Sequence, residues 1–281
     1  MSPLERSGGG VGRLRSAGAI AGLVILVSIV IFPLYYAVAG SLMDREDLTR
    51  FPPALFPTSI NVSSFGNVLN AVPLARQYGN SILVSLVVVL GVLVTSVLSG
   101  YVFAFLHFPL KRLAFGMFLA TMMVPAESMI IPNYLTMADW GLINTFPALF
   151  LPFLAAGFGT FLMRQFFLSF PKEVYEAAKV EGCGHLRFLW KILVPLSRPA
   201  IGTLAIHSFI SSYNHYFWPL LVTSTPKMQT LQIGLAQLNS VEERAPDVIF
   251  AGVVLAIIPM LVMIYMFQRH IVRGLTAGAV R

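Results

Sequence analysis

Apolar and polar stretches alternate along the chain, and six of the apolar ones are long enough to cross a lipid layer as helices: residues 17–41, 79–108, 113–137, 145–170, 200–223 and 248–267. A hydrocarbon layer of roughly 30 Å requires about 20 helical residues. Pro33 bends the first segment, and Pro125 interrupts the third, which ends near Pro132. In the fourth, Pro147, Pro152, Gly157 and Gly159 permit bends or close packing. Gly91, Ser96, Ser99 and Gly100 in the second let another helix approach closely, without saying which one.

The polar stretches give the topology. Residues 1–16 read as a flexible tail carrying Arg6, Arg13 and Arg15. Residues 44–77 carry Asp44, Glu46 and Asp47 and then Pro52, Pro53 and Pro57, which predicts an ordered external loop with short elements. Lys111 and Arg112 mark a short internal turn, Asp139, Trp140 and Asn144 an external one. Residues 224–247 form a further external segment, and the tail after the last span carries Arg269, Arg273 and Arg281. With both termini inside, the external side holds only Arg45, Arg50, Arg76, Lys227 and Arg244 of the 19 basic residues. Cytoplasmic segments are the basic ones, so this distribution supports six spans.

One polar stretch differs from the rest. Residues 171–199, PKEVYEAAKVEGCGHLRFLWKILVPLSRP, are charged and helically patterned. Val174, Ala177, Ala178 and Glu181 recur at helical spacing, Gly182 and Gly184 supply a break, and Leu186, Leu189, Trp190 and Leu193 mark a second apolar face. The spacing predicts a bent hairpin with a protruding elbow: small Ala177 and Ala178 admit a close partner, Gly182 permits the reversal, and the second helix seats the elbow. From spacing alone it is either a docking element or an amphipathic loop on the lipid surface.

Composition agrees with an integral membrane protein: 57% of the residues are apolar and 11% charged. The net charge of +7 does not point to nucleic acid, because the basic residues flank apolar segments. The single cysteine, Cys183, excludes an intrachain disulfide framework and reads as a packing residue. The sequence contains neither a glycine-rich phosphate loop ending in GK[ST] nor an HExxH zinc pattern. No cofactor or metal is assigned to this chain, and no catalytic residue.

Two polar features lie at membrane depth. Glu127 is the clearest ionisable residue there, open to structural pairing or to gating and solute contact. The fifth span has a polar centre including Ser211, Tyr213, Asn214 and His215, followed by Trp218 and Pro219. Such side chains either line a solute path or satisfy one another between helices.

Glu176, Ala177, Ala178, Gly182, Ile192 and Pro195 reproduce the EAA pattern of permease subunits from binding-protein-dependent ABC importers, with Glu181 where aspartate is usual. FISSYNHYFWPLLVT and the ending FQRHIVRGLTAGAVR also resemble that family, in its carbohydrate-uptake branch with the maltose, trehalose and glycerol-3-phosphate permeases. The resemblance implies an all-α, six-helix permease domain over residues 17–270 in a prokaryotic inner membrane, with a cytoplasmic tail at 271–281. Residues 171–199 would be its cytoplasmic coupling hairpin, and Glu181 belongs to the implied contact set. Gln268, Arg269, Arg273 and Gly278 would be further ATPase contacts. It implies a second permease, two ATPase subunits or a homodimer holding ATP and Mg2+, a solute-binding protein, and a sugar, oligosaccharide or sugar-like phosphate as cargo. An ion-gradient-driven transporter, in which Glu127 would be central, and a non-transporting assembly protein are the competing readings.

Overall fold

The computed structural model describes residues 9–241 and 245–276, with side chains described over 18–238 and 245–266. Every regular element among them is helical. They divide into two units, one within Met1–Ala71 and Leu238–Leu255, the other within Val72–Gln237 and Ala256–Arg281.

In the first unit, α1 (Gly9–Ser41) carries the apolar span Gly18–Ser41, none of whose most apolar window is covered by protein. That suits a helix bathed in lipid. Its C-terminal end is anchored: Tyr36 meets Phe250 edge to face at 5.5 Å, and a Cβ on Gly40 would lie 2.7 Å from the same ring. The loop beyond contains α2 (Arg45–Thr49) and α3 (Ser63–Ala71), which are the short elements the proline cluster predicts. Carboxylates organise it. Asp44 accepts hydrogen bonds from Ser59 and from Asn61 Nδ2, the latter at 2.6 Å. Asp47 accepts from the Thr58 amide at 3.2 Å and its hydroxyl at 2.6 Å. Ser64 donates to Asp247 at 2.8 Å.

The second unit is built around α4 (Leu74–Phe105), a single apolar helix of 32 residues. It packs on α8 (Gly157–Leu168) and α12 (Arg198–Tyr213). The small residues flagged in the sequence make the α4–α8 contact. A Cβ on Gly100 would lie 2.9 Å from Met163 Cβ and 3.1 Å from the Arg164 amide nitrogen, and one on Gly159 would collide with Ser96. Ser99 and Thr160 hydroxyls close the seam at 2.7 Å. The C-terminal carbonyls of α4 are capped by cations: Lys111 Nζ donates to Leu106 O at 2.7 Å, and Arg164 Nε donates to Phe103 O at 3.2 Å.

Three of the six expected spans are not single helices. Only Gly18–Ser41, Leu74–Phe105 and Pro246–Met266 are individually long and apolar enough to cross a membrane, and three bent pairs bring the number to as many as six. The third segment consists of α5 (Lys111–Thr121), then a 3-10 turn at Ala126–Met129 and α6 (Ile130–Asp139), bent by 92°. Pro125 causes this break, since it lacks a donor and pushes Val124 out of helical geometry. The fourth segment, α7 (Phe146–Phe150) with a 3-10 turn at Leu151–Phe153, bends by 45° into α8. In the fifth, α12 stops at Tyr213, and α13 (Phe217–Val222) follows after three residues. The segment 224–247, expected to be external, contains a helix the sequence pattern did not announce, α14 (Leu231–Val241). The last span lies in α15 (Pro246–Thr276).

Two outcomes follow. Gly100→Leu should overpack the α4–α8 seam and destabilise by about 1–3 kcal/mol, read as a lower midpoint of thermal inactivation in detergent. Its hydrogen bonds hold Asp44 below the usual carboxylate range. This contribution to loop order is present above the unfolded value of about 3.9 and is lost as pH falls through the lower folded one. External proteolysis within residues 44–62 should therefore accelerate on acidification, and Asp44→Asn should remove that pH step.

Candidate functional site

Two places gather the residues singled out in the sequence. The first is the hairpin. Its first helix, α9 (Lys172–Val180), ends in a Schellman motif: the Cys183 amide donates to Ala178 O at 2.9 Å and the Gly182 amide to Lys179 O at 3.0 Å. Gly182 sits at φ +73, the left-handed position this motif requires. The four-residue step from Ala178 to Gly182 therefore has a local cause, because it spans the motif's first acceptor and its left-handed residue.

After the reversal come α10 (His185–Phe188), a π-helical turn at Leu189–Leu193 and α11 (Val194–Leu196). Phe188, Leu189 and Leu193 are buried, while Leu186 and Trp190, expected on the seated face, are exposed. Leu186 and Trp190, four residues apart, share the outward face, while Leu189 and Leu193, also four apart, share the seated one. Pro195 follows it and is exposed, and Ile192 is half-buried. Aromatic packing fastens the hairpin to α4. Phe105, Tyr175 and Phe188 meet with centroids 5.0 to 5.5 Å apart, and Tyr101 Oη hydrogen-bonds His185 Nδ1 at 2.8 Å.

The two alanines face opposite ways. Ala177 is exposed with Glu176 and Glu181, whereas Ala178 is 5% exposed within the chain's own core. The small outward face is thus Ala177 alone, with Ala178 an internal spacer under the helix. The outward side of the elbow also presents Val180, 90% exposed, and Leu186, 69% exposed.

The second place is a cavity of about 750 Å³. Its walls come from the 3-10 turn and α6, which supply Glu127 and Asn133, and from the break after α12, which supplies Asn214, His215 and Tyr216. Phe153, Phe217 and Trp218 also line it. Trp218 Nε1 donates to Ala148 O at 2.9 Å, and His215 meets Phe153 edge to face at 4.7 Å. The Asn214 amide ends α12 by donating to Ile210 O at 3.1 Å. Four of the six path candidates are thereby brought together. Tyr213 is not among them: it is buried, its hydroxyl donating to Ala256 O at 3.0 Å, so it packs helices. Ser211 is exposed but lies outside the cavity lining.

Residues 94–277 match the family of binding-protein-dependent transport system inner membrane components. The chain belongs to that family. It is 38% identical over 271 residues to the sn-glycerol-3-phosphate transport system permease protein UgpE of Agrobacterium fabrum, covering 92% of this chain and 96% of the relative. The corresponding protein of Rhizobium meliloti is 36% identical over 262 residues, covering 90% and 93%. In fold, the chain superposes with a TM-score of 0.84 on one from a bacterial ABC transporter involved in the import of the acidic polysaccharide alginate. That match has 24% sequence identity and covers 95% of this chain and 99% of the other.

The protein is accordingly a noncatalytic, multi-pass inner-membrane permease subunit of an ABC importer. The general architecture of such importers adds a second permease, an ATPase and a solute-binding protein. Among the described residues no group of His, Cys, Asp and Glu could hold a metal ion. Within the permease, Asn133, Phe153, Tyr216 and Phe217 were missed by sequence reasoning because chain-distant segments bring them to the cavity. Val180 was missed because an apolar residue at a helix end carries no pattern of its own. Gln268, Arg269 and Arg273 continue α15, but their side chains lie outside the described residues, as does Gly278.

Gly182→Val forces a β-branched residue into the left-handed region, at a cost of at least about 1–2 kcal/mol. The reversal should loosen, exposing the half-buried Cys183 thiol. Maleimide should then label Cys183 several-fold faster than in the unaltered permease, with Gly182→Asn close to it because asparagine tolerates this conformation.

Proposed function

We propose that the cavity is this permease's share of the solute path and that the hairpin transmits ATPase closure to it. The cavity carries the reading, because it joins Glu127, Asn214, His215 and Trp218 from segments far apart in the chain. Non-helical backbone at membrane depth is tolerated where it borders a wet cavity, and the break at residues 214–216 does so. The family's binding-protein dependence and the relatives' names support a sugar, oligosaccharide or sugar-like phosphate as cargo.

In this reading the two bent pairs that precede residue 170 each serve as one span and α12 with α13 serves as another, giving six with the three long helices, with both termini and residues 171–199 cytoplasmic. Ala177, Val180, Glu181 and Leu186 enter a cleft of the ATPase, of which two copies or a homodimer bind ATP and Mg2+. Ile192 and Pro195 hold the second arm, and Gln268, Arg269, Arg273 and Gly278 approach the same ATPase pair. Phe188, Leu189 and the aromatic cluster then transmit displacement of the elbow to α4.

The test is import and ATP hydrolysis by the reconstituted complex. Asn214→Leu should lower import per assembled complex about tenfold while basal ATPase activity is kept. Ala177→Trp should weaken ATPase attachment and abolish stimulation by the loaded solute-binding protein. Unchanged import in the first variant would reject the path, and unchanged attachment and stimulation in the second would reject the elbow.

A further inference from the structure

We infer that this cavity favours a neutral, hydroxyl-rich solute and disfavours a phosphorylated or otherwise anionic one; the inference rests on the cavity being part of the solute path. Its chemistry differs from what an anion needs. Phosphate is held by guanidinium or ammonium groups or by converging amides. None of the residues lining this cavity is lysine or arginine, and the one formal charge on its wall is the Glu127 carboxylate. Glu127 is exposed, with no hydrogen bond or ion pair among the described residues to neutralise it. That negative charge repels an approaching anion and attracts a cation. His215 does not offset it, because a histidine of ordinary basicity is mostly uncharged at pH 7 and this ring is packed on Phe153.

The remaining polar groups suit hydroxyls. A sugar hydroxyl both donates and accepts, so it can donate to the Glu127 carboxylate and pair with either end of an amide. Asn133 and Asn214 provide such amides, and among the described residues the only partner of Asn214 Oδ1 is a long contact at 3.4 Å from Gln232 Nε2. The exposed rings of Tyr216 and Phe217 offer flat apolar faces to the C–H side of a pyranose. Trp218 has already spent its donor on Ala148 O, so it contributes shape and not a further hydrogen bond. The likeness to glycerol-3-phosphate permeases thus leaves cargo charge open, while the cavity wall argues for a neutral one.

The field can be read directly in the assembled importer. In a Cys183→Ser background, Leu221→Cys places a reporter thiol on the cavity wall, with Ile131→Cys as a second reporter should the first fail to assemble. Cationic and anionic methanethiosulfonate reagents are compared, each normalised to its rate on a free thiol. The cationic reagent should be favoured about tenfold, and Glu127→Gln should bring the ratio close to one. A ratio near one without that change, or one indifferent to Glu127→Gln, overturns the inference. Ligand binding by the cognate solute-binding protein, screened over neutral sugars and their phosphate esters, then identifies the cargo. Import of a neutral sugar supports the inference. Import of a phosphate ester overturns it while leaving the path reading intact. Labelling of the reporter that leaves import unchanged overturns the path reading and this inference together.

Discussion

Inside a hydrocarbon layer a backbone amide or carbonyl that leaves the helical pattern has no water to turn to, and this constraint governs the second unit. The chain leaves helical geometry repeatedly there, and side chains supply the missing partners. Thr95 Oγ1 donates to Leu154 O at 3.0 Å beside the break before α8. Trp218 caps Ala148 O across the cavity. At the turn before α7 the Asn144 amide donates to Val222 O at 2.7 Å, while its side-chain oxygen accepts from the Ser224 and Thr225 amides at 3.0 and 3.1 Å. The breaks are therefore held in place, and the segments around them can form a wall.

The same economy explains why α4 is the axis. It is the one uninterrupted long helix of its unit, so the broken elements pack on it. Small residues bring α8 close along its middle, where packing and hydrogen bonds between helices replace the hydrophobic effect that lipid cannot supply. At its end the aromatic cluster and the Tyr101–His185 hydrogen bond hold the hairpin. One rigid element thus touches both the hairpin and the helices bordering the cavity, as a path for mechanical coupling requires. A chain of packed side chains shows connection, and coupling itself is what the Ala177 variant measures.

Much was legible in the sequence because it depended on local chemistry. Apolar length marked the chain as a multi-span helical protein, and basic residues at the flanks suggested an orientation. The proline cluster announced the short elements between α1 and α4, and Gly182 announced a reversal because a left-handed residue is needed where a helix ends in a Schellman motif. The family could be recognised from the hairpin residues and the two later segments.

What the tertiary structure decided depended on contacts between distant segments. Helical spacing could not say that Ala177 faces out while Ala178 is sealed in the core, because the two adjacent residues carry the same side chain and differ only in what packs against them. Nor could it exclude Tyr213 from the cavity, whose polar neighbours lie on the break after α12 while its own hydroxyl turns to Ala256. Nor could it put Glu127 on the same wall as Asn214 and His215, which depends on the bend at Pro125. The sequence by itself determined that the chain is helical and crosses a membrane more than once, since those properties follow from each segment's own composition. Only the three-dimensional packing decided which polar side chains share a space, because that depends on where each helix breaks and on which neighbour it then meets.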